Sequence, residues 1–389
     1  MPLVSRPEIQ DVAVCPHGGI DYAELETLGI APQDILDFSA NLNPFGPPPS
    51  VIEMLSENHC GEAKLRAKRG VTEAISHYPD SEAYQLRRFL AEGLGIKAEN
   101  IIVGNGSTEL IRLAALAYFG RGDKVLIVEP TFGEYQVACQ IAGASLIEQQ
   151  LSAENAFLLN IDETIGLIKQ HRPKGIFICN PNNPTARYLS RADFEKILDA
   201  SKDSLVVLDE AYISFVDNAW SSLELVLQSS LRANRSNLLV LRSMTKDYAL
   251  AGLRLGYGVA GEEIIATLRR ISPPWNVNAL AQKAGIMAIK EEEYLKRCQV
   301  ELREAKNYLI AEFSRLGLPP LPSEANFFLI EVGDASRFRH ELLKRNILVR
   351  DCTSFGLPHH VRIAPRTLPE CQSLIDAVKG LVARGLVPR

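Results

Sequence analysis

The sequence predicts an α/β protein, a mainly parallel sheet covered by helices and followed by a smaller α+β unit. Three observations carry this. Short β-branched runs alternate with amphipathic stretches through the middle of the chain, as when parallel strands are joined by helical crossovers. The texture changes after Ile271-Ser272-Pro273-Pro274, where a long charged helical stretch leads into three short strand-like runs. The 389 residues also exceed one average domain of roughly 150 and suggest about two or three.

Taken in order, residues 1–45 fit neither unit and read as an N-terminal arm, with the proline-rich stretch 44–49 as its connector. Leu86, Phe89, Leu90 and Leu94 recur at helical spacing after the Pro79-Asp80-Ser81 turn and capping cluster, which predicts a helix with one apolar face. Strands are predicted at 101–103, 124–128, 175–179, 205–208, 238–241 and 255–260, with helices at 108–119 and 191–200. Beyond 275, one helical stretch covers roughly 279–316, and strands are predicted at 327–332, 347–350 and 361–363. The expected units are therefore the arm (1–45), a large domain (46–275) and a small C-terminal domain (276–385). Leu386-Val387-Pro388-Arg389 reads as the remnant of an engineered cleavage site and is set aside.

Composition excludes several classes. A net charge of −5, with 46% apolar and 23% charged residues, is ordinary for a globular protein and unlike disordered, collagenous or coiled-coil chains. A pI near 5.9 argues against a nucleic-acid partner. The seven cysteines include no CxxC pair and read as free thiols in a reducing compartment. No apolar run approaches the ~18–20 residues of a membrane span, and no signal-peptide core opens the chain, so a cytoplasmic protein without a membrane partner is expected. The seven histidines form no HExxH or Cys/His motif, so no metal is expected, and a GxSxG elbow is absent.

Four segments carry chemistry. Gly104-Asn105-Gly106 fails as a dinucleotide fingerprint, because Glu109 stands where its third glycine belongs. What remains, through Ser107 and Thr108, suits either a phosphate cradle at a helix start or an ordinary capped turn. Ser243-Met244-Thr245-Lys246 follows an apolar strand, with Arg254 eight residues beyond the lysine among glycines. A lysine at the carboxyl end of such a sheet can bond covalently to an aldehyde, while the hydroxyls and arginine grip a phosphate. Asn180 to Thr185 forms a proline-fixed polar turn after another strand, and Asp209-Glu210-Ala211-Tyr212 follows a third. A carboxylate there can pair with a protonated pyridine nitrogen.

Together with Tyr78-Pro79-Asp80 and Pro130-Thr131-Phe132, these segments resemble fold-type I, aspartate-aminotransferase-like enzymes that depend on pyridoxal 5'-phosphate, over nearly the whole chain. The resemblance implies a large domain with a seven-stranded sheet. It implies Lys246 as the lysine that bonds to the cofactor and shuttles a proton, and Asp209 as partner of the ring nitrogen. Asn183 and Tyr212 would contact the ring hydroxyl oxygen, and Phe132 would stack on the ring. Gly106, Ser107, Thr108, Ser243, Thr245 and Arg254 would hold the cofactor phosphate. Tyr78 would reach the cofactor of a second subunit, making a homodimer, and Arg362 would bind a substrate acid group.

Two branches of the family are closest, histidinol-phosphate aminotransferases and the threonine-phosphate decarboxylase of cobalamin biosynthesis. His17-Gly18-Gly19 and the stretch from Leu36 to Pro44 resemble the decarboxylase opening. That branch implies loss of CO2 from L-threonine O-3-phosphate to give (R)-1-aminopropan-2-yl phosphate, with serine phosphate as a possible second substrate. His17, Gly18, Asn41, Asn183, Arg350 and Arg362 would line the substrate site. Histidinol-phosphate aminotransferase is the alternative. A non-catalytic regulator that binds pyridoxal phosphate is disfavoured by the lack of a DNA-binding segment. One residue departs from the family pattern: Ala186 stands where glycine is usual after Asn-Pro-Thr, which leaves the shape of that loop open.

Overall fold

The computed structural model describes residues 3–10, 12, 14–56, 74–229 and 237–386. The suggested cleavage-site remnant, Leu386 apart, lies outside them. In chain order the strands are β1 (Leu36–Asp37), β2 (Ile101–Asn105), β3 (Lys124–Glu129), β4 (Ser145–Gln150), β5 (Gly175–Cys179), β6 (Leu205–Asp209), β7 (Leu238–Ser243), β8 (Leu255–Ala260), β9 (Phe328–Glu331), β10 (Ile347–Leu348), β11 (Arg350–Asp351) and β12 (His360–Ile363).

Seven of them form one sheet in the order β2-β8-β7-β6-β5-β3-β4. The run from β7 to β4 is parallel, and β8 is antiparallel to both its neighbours. Alternation along the strands fills two cores. Ile176, Ile178, Val206, Leu208 and Val240 face one helical layer, while Phe177, Val207, Leu239 and Leu241 face the other. Burial on both sides explains why these strands read as continuous apolar runs. Because β3, β5, β6 and β7 are parallel, their carboxyl ends open on one edge, which brings Phe132, Asn183, Asp209 and Lys246 to the same place.

All six strands expected for this sheet are present. The additional one, β4, pairs only with β3 at the sheet edge. Four of its six residues, Ser-Leu-Ile-Glu-Gln-Gln, are polar, as edge strands commonly are, and so it lacks the apolar signature of its neighbours. The helix predicted from Leu86 and its partners runs Tyr84–Leu94, and the Asp80 carboxylate accepts from the Tyr84 N–H at 2.7 Å. The single stretch 279–316 divides into helices Ala279–Ile289 and Glu292–Arg315, parted at Lys290-Glu291.

A third core joins the C-terminal elements to the arm. Phe38 is fully buried among Phe328, Ile330 and Val361, and β1 pairs in parallel with β10. The expected strand 347–350 is two strands in two sheets: β10 serves the arm, and one residue later β11 pairs antiparallel with β12. Between the two pairings stands Val349, in neither strand and fully buried in this third core. No helix among the described residues is long and apolar enough to cross a membrane.

Candidate active site

A cavity of about 560 Å³ opens at the carboxyl edge of the large sheet, between it and the β11-β12 strands, with the arm across its mouth. Lys246 reaches it from the turn after β7. Burial, with Arg362 and Arg254 nearby, pulls the ammonium down to about 8, against the opposing pull of Asp209. A depressed lysine is a free amine over more of the neutral range, so it is ready to attack a carbonyl. Capture of pyridoxal phosphate by protein stripped of it should therefore accelerate as pH rises to about 8 and then level off. A rate that keeps climbing toward pH 10 in stopped-flow absorbance would refute this environment for Lys246.

Asp209 ends β6 almost fully buried, and burial raises its carboxyl to about 6. Two donors hold it: Tyr135 Oη at 2.8 Å on Oδ2 and the Ala211 N–H at 3.0 Å on Oδ1. Tyr212 is buried beside the lysine, its ring 5.8 Å from Lys246 Nζ, and its hydroxyl accepts from Asn41 Nδ2 at 3.2 Å. Phe132 closes one wall, 5.8 Å between ring centroids from His17.

The opposite end is an anion cradle. Helix Ser107–Tyr118 starts from Gly106 with no side chain capping it, so the amides of its first turn point into the cavity region with the positive end of the helix dipole. Gly106 has φ +75°, and a Cβ there would stand 2.7 Å from the Arg254 guanidinium. Gly256, on β8, allows backbone to approach backbone: a Cβ would meet the Ser107 N at 2.5 Å. Gly256→Ala must therefore push backbone from backbone, a strain of about 1–3 kcal/mol. Urea unfolding should show that loss together with weaker phosphate retention, and unchanged stability would contradict the packing.

Two arginines form the remaining wall. Arg350 on β11 and Arg362 on β12 are direct cross-strand partners. Like charges so placed repel, which is tolerable where an anion is to be held between or beside them. Arg362 donates to Asn183 Oδ1 and, at 2.7 Å, to Ser39 O. Arg350 donates to Pro16 O (2.8 Å), His17 O (3.0 Å) and Ser354 Oγ (2.7 Å). Each arginine keeps a buried Nε with no partner among the described residues, as does Asn41 at Oδ1.

Residues 33–378 match the aminotransferase class I and II family. The chain is 36% identical over 356 residues to the histidinol-phosphate aminotransferase of Moorella thermoacetica, covering 90% of this chain and 86% of that one. The chain belongs to the aminotransferase class I and II family. Its fold is similar to the histidinol-phosphate aminotransferase from Sinorhizobium meliloti in complex with pyridoxal-5'-phosphate, at TM-score 0.82 and 22% identity over 98% of each chain. It is also similar to L-threonine-O-3-phosphate decarboxylase from Porphyromonas gingivalis, at TM-score 0.75 and 28% identity, covering 89% of this chain and 99% of that one.

The cofactor of this aminotransferase-family chain is pyridoxal 5'-phosphate. The donors present fit it: a depressed lysine, a buried carboxylate on the same sheet edge, and Arg254, Ser243, Thr245, Ser107 and Thr108 around one cavity, while Gly106 packs against Arg254 and does not itself line it. His17, Gly18, Asn41, Asn183, Arg350 and Arg362 line that cavity too. Tyr78 does not line it within its own chain. It is exposed and stacks on Trp275 with ring centroids 4.4 Å apart. Ala186 takes the left-handed conformation, φ +56°, that its family's usual glycine favours, and its N–H donates to Asn182 O at 2.7 Å. The turn thus keeps its shape without glycine.

Four residues of the site are hard to read along the chain. Tyr135 orients Asp209, and only its helical offset from Phe132 hinted at it. Glu134, buried, receives His17 Nε2 at 3.2 Å and Arg112 at 3.1 Å. Ser39 accepts from the Gly19 N–H at 2.9 Å and is itself fixed by Asp37 Oδ1 at 2.6 Å, so Asp37 and Ser39 pin the His17-Gly18-Gly19 turn over the cavity. The Asp-x-Ser spacing of a side-chain-capped turn was the available signal for that pair.

Proposed function

We propose that this chain acts on small phosphorylated amines, and that its reaction is amino transfer from histidinol phosphate. The cross-strand arginine pair facing Lys246 carries the substrate class, and the identity to histidinol-phosphate aminotransferases supports the reaction. Bound pyridoxal phosphate weakens whichever substrate Cα bond stands perpendicular to its ring. The side chains decide which bond that is. Arg350 and Arg362 bind the anionic groups of the donor and of an acidic acceptor, through forks suited to phosphate and carboxylate. Lys246, whose ammonium burial holds at about 8 and so below an ordinary lysine, takes the proton from Cα and returns it two bonds away, across the substrate nitrogen. Asp209 stays ionised to hold the ring nitrogen positive, and Phe132, Tyr212 and Asn183 fix the ring.

A second reading, decarboxylation of threonine phosphate, is favoured by the arm. His17 and Gly18 line the cavity beside Arg350, as the resemblance to the decarboxylase branch implies, and the Porphyromonas gingivalis likeness agrees. There the arginines would turn the carboxylate perpendicular to the ring, and Lys246 would reprotonate Cα. Both readings use a homodimer in which Tyr78 completes the partner's cofactor site, and an arm that belongs with the smaller domain. The pairing of β1 with β10 supports the latter.

Purified protein should be given histidinol phosphate with 2-oxoglutarate and, separately, threonine phosphate. Glutamate from the first and no CO2 from the second is the expected result. CO2 without glutamate would replace the first reading by the second, and neither product would overturn both.

A further inference from the structure

No metal motif is visible along the sequence, yet the fold gathers one. Cys15 Sγ, a ring nitrogen of His17 and a carboxylate oxygen of Glu134 lie within 4.8 Å of one another at the rim of the cavity. Cys15 and His17 come from the arm, and Glu134 from the first turn of helix Glu134–Ala142, more than a hundred residues away.

We propose that this triad is a site for a divalent cation of the zinc class, and that the cation clasps the arm to the large domain. Thiolate, imidazole and carboxylate are the ligand set zinc takes, at about 2.0–2.3 Å. Atoms already within 4.8 Å need only small side-chain rotations to reach one ion. Gly133 makes the approach possible: a Cβ there would stand 2.7 Å from Cys15 Sγ. Glu134 is anchored for the task, because Arg112 holds Oε2 while Oε1 faces His17. That guanidinium supplies the outer hydrogen bond that orients a ligating carboxylate. Among the described cysteines, Cys15 is the one not buried, so its thiol can release its proton to solvent as the ion binds.

Three protein ligands leave a fourth position, as in zinc sites that keep one place open. The cavity beside it is lined by Arg350, whose guanidinium binds the carbonyls of Pro16 and His17 between and at the ligands. A bound cation would therefore fix the arm over the cavity mouth, slow exchange of small molecules, and withdraw His17 from any substrate.

The test is binding, which depends on no assumption about the reaction. The pyridoxal-phosphate-loaded protein is titrated with Zn2+ against a chromophoric chelator, and with Co2+ while thiolate-to-cobalt charge-transfer absorption is followed. One equivalent of Zn2+ and a charge-transfer band are expected in the wild type. Cys15→Ser should lose the band and weaken Zn2+ at least tenfold. Glu134→Gln should weaken Zn2+ but keep the band, and it tests the site independently if the serine variant does not fold. Zn2+ held equally by wild type and both variants, a band that survives Cys15→Ser, or no equivalent bound, would overturn the proposal.

Discussion

Lys246→Ala will abolish covalent capture of pyridoxal phosphate and lower turnover by about 10²–10⁴-fold, the range expected when a positioned proton carrier is removed. The lysine sits at the end of β7, where the cavity, Asp209 and the arginines converge, and among the described residues no other lysine lines that cavity. The loss should appear as disappearance of the absorbance band of lysine-bound cofactor. Stability gives a control with a defined sign. Burial holds the Lys246 ammonium at about 8, below its value of ~10.4 in an unfolded chain, so the charged form disfavours folding at neutral pH. That penalty fades as pH rises above about 8. The alanine protein should therefore melt no lower than wild type at pH 7. Retained turnover with the band lost would refute the assigned role.

The second large effect is Asp209→Asn. In the wild type both carboxylate oxygens accept hydrogen bonds, from Tyr135 Oη and the Ala211 N–H. An amide offers one oxygen and one NH2, so a donor is left facing a donor and the negative charge is gone. A hydrogen bond to a charged group is worth about 1.5–3 kcal/mol, which corresponds to roughly a 10- to 150-fold fall in kcat/KM. The pH dependence also has a sign. Burial raises the carboxyl to about 6, above its unfolded value, so without cofactor Asp209 favours the fold below ~3.9 and loses that contribution as pH rises through 6. Asp209→Asn should flatten this part of the stability profile in cofactor-free protein. Kinetics within twofold of wild type would count against the role of Asp209.

These two residues were legible because strand-end chemistry is local. An apolar strand followed at once by Asp209, or by Ser243 to Lys246, announces both the strand and the group at its mouth. The buried strands of the large sheet were legible for the same reason, whereas β4 was not, since an edge strand need bury only part of its length. The family resemblance marks Arg350 and Arg362 as substrate ligands, but nothing in the sequence places them opposite each other. That follows from the break after β10, which hands the arm one pair of residues and β12 the next. Glu134 stayed hidden because its partners, His17 and Arg112, are brought to it only by folding.

By itself the sequence determined the α/β architecture, the family, the cofactor chemistry and about half of the residues that line the cavity. Each of these rests on short-range patterns: periodicity of burial, a turn after a strand, and groups spaced along a few residues. Only the tertiary structure decided how the arm pairs with β10, how Tyr135 and Glu134 orient Asp209 and His17, and which charges face each other across the cavity. Those contacts join residues tens to hundreds of positions apart. Their geometry is fixed by which cores pack together, and a linear pattern does not encode that distance.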